Sequence, residues 1–127
     1  MKRDMDLIRD ILLALEKKPD TSSTEKEEAL PGVSLSPAVW YHMRLLLDAG
    51  LIKGRRSPEA GSPKICFERL TWAGHEFLDV IRNDSIWHRL KLDFAVEGGT
   101  AFFEKMRSHG EESLIQTIFD FIPKAGA

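Results

Sequence analysis

The sequence predicts a mainly α-helical protein with one small β-hairpin, an α+β fold. Apolar residues recur at helical spacing over most of the chain. Near its middle, two short β-compatible segments flank a loop rich in Pro and Gly. The 127 residues, 43% of them hydrophobic, suffice for one compact core but are too few for two ordinary domains. We therefore expect one domain with an appendage.

The first predicted element is an amphipathic helix over residues 4–17. Acidic residues stand at its N-terminus and lysines at its C-terminus, where each sign of charge is favoured by the helix dipole. Its apolar face is formed by Met5, Ile8, Ile11, Leu12 and Leu15. Pro19 and the polar residues after it end this pattern. Residues 25–31 are compatible with a helical turn or with an irregular connection.

A second helix is predicted over residues 37–49. Ser36 and Pro37 are typical of the N-cap and first positions of a helix, and Gly50 is typical of the left-handed residue that ends one. The apolar side chains of one face are Val39, Met43, Leu46 and Leu47. Because this helix directly precedes the hairpin, its outward face is a candidate binding surface.

The hairpin strands are predicted at residues 51–55 and 64–70, and Thr71 is expected to cap a third helix. The buried stripe of that helix is predicted to be Gly74, Phe77, Leu78 and Ile81. Strict alternation with Leu70 puts Cys66 on the core side of its strand, as a small structural hydrophobe. The same alternation puts Ile65 and Phe67 on the outer face, where they would need a cover.

The C-terminal part continues as helix after Ser85, breaks at Gly98 and Gly99, and contains shorter amphipathic pieces near 100–108 and 112–122. Two interpretations of these aromatic-rich helices stay open. They either pack back over the first helix and the outer strand face, or form the interface of a two-fold homodimer. We favour the dimer, because symmetric pairs usually read DNA half-sites.

The order of helix, helix, hairpin and helix is that of a winged helix-turn-helix. We therefore predict a winged-helix domain at residues 1–84 and a C-terminal helical extension at 85–127. In such folds the helix before the hairpin enters the DNA major groove, and the loop between the strands, the wing, touches phosphate.

Three motifs resemble a family of small bacterial, often prophage-associated proteins, the domain of unknown function 2513. They are MKRDMDLIRDILLALE at residues 1–16, YHMRLLLDAGLI at 41–52 and RLTWAGHEFLDVIRNDSIW at 69–87. The resemblance implies a winged-helix-like fold and no established activity.

The charge distribution supplies the main functional clue. The formal net charge of −2 gives no bulk attraction to nucleic acid. Residues 53–69, however, carry five basic and two acidic side chains, and each flanking block is net acidic. Four of these cations are predicted to contact phosphate from the wing: Lys53, Arg55, Arg56 and Lys64. The opposing interpretation is a charged loop tip that simply stays solvated.

The outward face of the second helix admits two functions. Tyr41 and Arg44 would face the DNA groove in a transcriptional regulator of phage type. Yet a helix with one Arg and the acidic Asp48 on this face offers few side chains that can recognise bases. The alternative is a module that binds a host or phage protein through Trp40, Tyr41 and Leu45, since aromatic residues are enriched in interface hot spots.

No pattern points to an enzyme, a cofactor or a metal. The four histidines and the single cysteine show no metal-ligand spacing, and no nucleophile elbow or phosphate-binding Gly-rich loop occurs. His42 is expected to be a partly buried, hydrogen-bonded side chain. The charged N-terminus and the lack of a long apolar run indicate no signal peptide and no membrane segment, so we expect a cytoplasmic protein.

Overall fold

The computed structural model describes the backbone of residues 1–97 and the side chains of residues 1–92. It is an α+β fold, as predicted. The elements, in chain order, are α1 (Met5–Lys17), a 3₁₀ turn (Glu27–Ala29), α2 (Pro37–Asp48), β1 (Ile52–Arg56), β2 (Ile65–Leu70), α3 (Trp72–Ile81) and α4 (Asp84–Glu97). Helix α1 packs against α2, α3 and β2, and the core lies between these elements.

The helix ends are set by the residues that the sequence indicates. The Ser36 hydroxyl accepts a hydrogen bond from the Val39 amide at the start of α2. Thr71 caps α3 by accepting from the Gly74 amide, and its hydroxyl also donates to the Gly50 carbonyl. Gly50 has a φ of 76°, which lets the chain reverse directly after α2. These local predictions are confirmed.

The connection between α1 and α2 contains a single 3₁₀ turn, which answers the question left open at residues 25–31. A Glu27 carboxylate oxygen accepts from the Leu35 amide, and Leu30 is buried in the core. Before the turn, Thr24 exchanges two backbone hydrogen bonds with Phe67 of β2. The hairpin is therefore held on its β2 edge by one residue from this connection.

The hairpin contains a β-bulge that the sequence analysis missed. Ile52 pairs with Leu70 and Lys53 with Arg69, but the next residue, Gly54, pairs with Phe67. Glu68 is thus an extra residue in β2, and it shifts the alternation of side chains by one position.

The predicted faces of β2 are consequently wrong. Ile65 and Phe67 are buried in the core, and Cys66 lies half-buried on the opposite face. Its Sγ lies 3.8 Å from a carboxylate oxygen of Glu25. Because Ile65 and Phe67 are already covered, they need no C-terminal helix over them.

Helix α4 adds to the same core. Trp87 and Leu90 are buried, and the Trp87 indole N–H donates to Asp6 of α1. Lys91 also binds Asp6, and the guanidinium of Arg9 lies over the Trp87 ring. The predicted helices near 100–108 and 112–122, with their packing or dimer interface, lie outside the described residues.

Candidate nucleic-acid interface

The hairpin presents a group of cations that no carboxylate of residues 1–92 neutralises. All four predicted wing residues are exposed: Lys53, Arg55, Arg56 and Lys64. Within residues 1–92, none of them forms an ion pair or a side-chain hydrogen bond. As far as the described residues are concerned, their charges are available to an external anion.

Several cations of the helices, by contrast, form ion pairs. Arg9 binds Asp84 at 2.8 Å, Lys91 binds Asp6 at 3.0 Å, and Arg82 binds both Glu16 and Asp79. The carboxylates that pair with them lie on α1, α3 and α4. The hairpin cations thus stand apart from the ion pairs that join the helices.

The strand register distributes the hairpin cations over two faces. Lys53 and Arg55 lie on the outer face, because Gly54 between them faces the core beside Phe67. Arg56 pairs with the buried Ile65 and so shares the core-side face, beyond the end of the core. The tip of the hairpin can therefore meet an anion from either side.

The bulge brings a further cation to the outer face. Arg69 is exposed and lies directly opposite Lys53, and one of its terminal nitrogens donates to the Leu70 carbonyl. Sequence reasoning counted this arginine in the charge sum of the segment but did not place it in the site. The face of the hairpin on which Arg69 lies follows only from the pairing of β1 with β2.

The outward face of α2 is smaller than predicted. Tyr41, Arg44 and Leu45 are half-buried, and Asp48 is exposed. The Arg44 Nε is buried without a hydrogen-bond partner among the described residues. Trp40 is only 7% exposed and packs against Phe67, with ring centroids 6.5 Å apart. Its predicted place in an accessible protein interface is therefore wrong, since β2 covers this flank of the helix.

His42 is buried and uses both ring nitrogens, as expected of a hydrogen-bonded core histidine. Its Nδ1 lies 2.6 Å from the Ala38 carbonyl, and its Nε2 accepts from the Asp4 amide at 2.7 Å. These partners require the neutral tautomer with the proton on Nδ1. The bond to Asp4 fastens the segment before α1 to α2.

Arg3 is a second residue of this region that the sequence analysis did not single out. It directly precedes Asp4 and is half-buried. Burial is the main cause that lowers the pKa of its guanidinium, and the charge of Tyr41 acts in the opposite direction. No pattern in the sequence connects residues 3 and 41; only the fold does.

No group of three His, Cys, Asp or Glu side chains among the described residues is arranged to hold a metal ion. None of the helices described within residues 1–97 has the length and apolar character to cross a membrane.

A family model described as "Hypothetical protein (DUF2513)" matches residues 2–109. The chain belongs to the DUF2513 family. This DUF2513 protein is also similar to an "Uncharacterized protein" of Haemophilus influenzae (strain ATCC 51907 / DSM 11121 / KW20 / Rd). The two are 42% identical over 91 residues, which cover 72% of this chain and 76% of the relative. No solved structure matches the chain.

The family resemblance predicted from the three sequence motifs is thus confirmed. Nearly all of the residues of these motifs lie within the match to DUF2513, and so does the whole hairpin. Neither description names a ligand. Function must therefore be argued from the hairpin and α2 themselves.

Proposed function

We propose that this DUF2513 protein is a non-enzymatic winged-helix protein that binds double-stranded DNA and regulates transcription, as a phage-type regulator in the cytoplasm. The observation that carries the proposal is the set of exposed hairpin cations, which have no carboxylate partner in the part of the chain that the structure describes. Lys53, Arg55, Arg56 and Lys64 would each neutralise one phosphate of the DNA backbone.

The arrangement of elements supports the same interpretation. A winged helix needs a helix that lies across the groove and a hairpin beside it that reaches the backbone. Helix α2 runs directly into β1 through the turn at Gly50, so the two parts are rigidly connected. The Thr24–Phe67 bridge holds the other edge of the hairpin.

In the proposed complex, α2 supplies Tyr41 and Arg44 to the groove, and the wing supplies the phosphate contacts. Arg44 has the donor geometry for a guanine edge. Base reading by α2 is limited, because Asp48 is exposed on the same helix and repels phosphate. We therefore expect electrostatic, weakly sequence-dependent binding that falls steeply with salt.

The protein-interaction module is the weaker alternative. It rested on Trp40, Tyr41 and Leu45, and the burial of Trp40 removes its largest anchor. The two-fold homodimer through residues 85–127 stays a prediction.

The test is the affinity for a fluorescent duplex of random sequence, measured by anisotropy between ~50 and ~200 mM salt. The wild-type chain should bind with a slope of log affinity against log salt of roughly −3.6, about −0.9 for each of four phosphates. Replacing Arg55 and Arg56 with Ala should reduce the magnitude of that slope by about 1.8.

The control variant is Lys17→Glu, which changes the net charge by the same amount at an exposed site on α1. Its slope should match that of the wild type. Undetectable binding at ~50 mM salt, or equal losses in the wing variant and the control, would refute DNA binding by the wing. A protein target would then become the better explanation.

A further inference from the structure

Trp72 is an exposed aromatic side chain that the proposed duplex contact does not use. It occupies the first position of α3, and 68% of its surface is exposed. Trp40 and Trp87, in contrast, are 7% and 2% exposed. Within residues 1–92, the Trp72 ring contacts no other aromatic ring, and no cation lies over its face. As far as these residues are concerned, the ring is open to a ligand.

The position of Trp72 at the base of the hairpin is fixed by the residue before it. The Thr71 amide donates to the Leu51 carbonyl at 3.0 Å, and the Thr71 hydroxyl donates to the Gly50 carbonyl at 2.6 Å. The same hydroxyl accepts from the Gly74 amide. The backbone that carries the indole is thus held to the end of α2 and the start of β1, so little chain freedom would be lost on binding.

Two cations lie beside this junction. Lys53 and Arg69 are exposed and directly opposite each other in the hairpin, and neither forms an ion pair within residues 1–92. An Arg69 terminal nitrogen donates to the Leu70 carbonyl at 3.0 Å. Leu70 and Trp72 are two residues apart, so their Cα atoms are separated by at most ~7.6 Å. The Arg69 guanidinium is therefore held on the chain segment that leads into Trp72.

The pairing of these two cations favours a bound anion. Like charges directly opposite each other on paired strands are destabilising, because their side chains lie close together. A phosphate between Lys53 and Arg69 would replace this repulsion with attraction. Glu76 lies one turn beyond Trp72 on α3 and repels phosphate, so the strand cations determine where a phosphate binds.

We propose that Trp72, Lys53 and Arg69 form a binding site for single-stranded nucleic acid. A base that is not stacked in a duplex lies on the Trp72 ring, and the phosphate beside it binds the two cations. Exposed aromatic rings next to cations that follow the backbone bind single strands without sequence preference. An intact duplex offers no such free base, so the site goes beyond the proposed duplex contact, with which it shares Lys53.

The test follows binding of a thymidine oligomer of about eight nucleotides to the full chain. Because Trp40 and Trp87 are buried, stacking of a base should quench the emission of Trp72 in particular. Trp72→Ala should weaken binding of the labelled oligomer, measured by anisotropy, roughly tenfold, since one base–aromatic stack is lost. Trp72→Phe keeps a ring and should weaken it less. A uridine oligomer of the same length is measured in parallel, and the tighter of the two identifies DNA or RNA as the source of the strand.

Salt dependence separates stacking from charge. Lys53→Ala and Arg69→Ala should each reduce the magnitude of the slope of log affinity against log salt by about 0.7, the value per phosphate of a single strand. Trp72→Ala should leave that slope unchanged, and so should Lys17→Ala, the charge control at an exposed site on α1. An abasic oligomer keeps the phosphates and lacks the bases, so the wild type and Trp72→Ala should bind it equally.

The outcomes separate this inference from the proposed function. If the wing variant loses duplex affinity but the thymidine oligomer causes no quenching, this inference fails and the duplex proposal stands. If duplex binding is undetectable but the oligomer binds in a manner that depends on Trp72, the reverse holds. Equal affinities of the wild type and Trp72→Ala for the oligomer would overturn the inference. A mass that falls in Trp72→Ala by light scattering without oligomer would also overturn it, because the ring would then join two copies of the chain.

Discussion

At the scale of single residues, Trp40 and Trp72 have opposite environments. Trp40 is 7% exposed and packs on Phe67, whereas Trp72, at the first position of α3, is 68% exposed. A helical projection from the apolar residues of α2 puts Trp40 at the flank of the buried face. It cannot show that β2 lies over that flank, since this contact joins residues distant in the sequence.

Replacing Trp40 with Ala should therefore reduce the free energy of unfolding by about 3–5 kcal/mol, through the lost burial and the cavity that remains. Trp72→Ala removes the same side chain from an exposed site and should change it by less than about 0.5 kcal/mol. Urea denaturation of both variants is the measurement. Similar losses in the two variants would contradict the buried position of Trp40.

At the scale of elements, local signals were sufficient for the helix ends. The hydroxyls of Ser36 and Thr71 accept hydrogen bonds from amides three residues further along the chain, and Gly50 has the positive φ of a local turn. Because these features are local, the sequence alone was sufficient to identify the three residues. The faces of β2 depend on a pairing between strands. One extra residue, Glu68, made the predicted positions of Cys66 and Phe67 wrong.

The contact between α3 and the start of the hairpin supplies a prediction in which two effects oppose each other. In an exposed helix, Gly→Ala stabilises by about 1 kcal/mol. At Gly74, however, an added Cβ would lie 2.0 Å from the Leu51 carbonyl oxygen, which also accepts from the Thr71 amide. The clash should dominate, so Gly74→Ala should destabilise by roughly 2–3 kcal/mol, as overpacking does.

Thermal or urea unfolding of Gly74→Ala tests this, with Gly61→Ala as the comparison. Gly61 has a φ of 76° and open space around it, so its substitution should cost only about 1–2 kcal/mol of backbone strain. A stabilised Gly74→Ala protein would mean that α3 does not approach Leu51 so closely.

At the scale of the whole molecule, α1 joins the other helices through its carboxylates. Asp6 binds Trp87 and Lys91 of α4, and Glu16 binds Arg82 directly after α3. The pKa of Asp6 is lowered, first by its hydrogen bond from Trp87 and then by that from Lys91. The pKa of Glu16 is lowered mainly by the hydrogen bond from Arg82.

These shifts predict a loss of stability in acid. A carboxylate whose pKa is lowered in the folded state contributes its full stabilisation when the pH is above the ordinary pKa of the group. That ordinary pKa is about 3.8 for Asp6 and 4.5 for Glu16. That stabilisation is lost as the pH falls through the folded-state pKa. For Asp20, whose pKa is lowered to about 2 first by the Ser22 hydroxyl, the loss continues to the lowest pH.

Urea denaturation between about pH 5 and about pH 2 should therefore show a falling free energy of unfolding. The fall should be shallower in the double variant Asp6→Asn, Glu16→Gln. Asp10→Asn, at an exposed position of α1, is the matched control and should follow the wild type. Parallel curves for all three proteins would show that these two carboxylates do not couple the helices to pH.

The near-neutral total charge does not show that acidic and basic residues have different environments in this fold. Acidic residues of α1 are engaged with α3 and α4, while the hairpin cations have no such partners among the described residues. The sequence locates the basic segment, because its members are close together in the chain. It does not show that a bulge brings Arg69 opposite Lys53, because that pairing depends on the strand register.

The bulge at Glu68 also has an evolutionary consequence. It divides the hairpin into a base, which contains the Ile52–Leu70 pair, and an outer part in which the buried Phe67 and Ile65 follow the shifted register. Insertions, deletions or charge changes between the strands can therefore accumulate at the tip without altering the junction with α3.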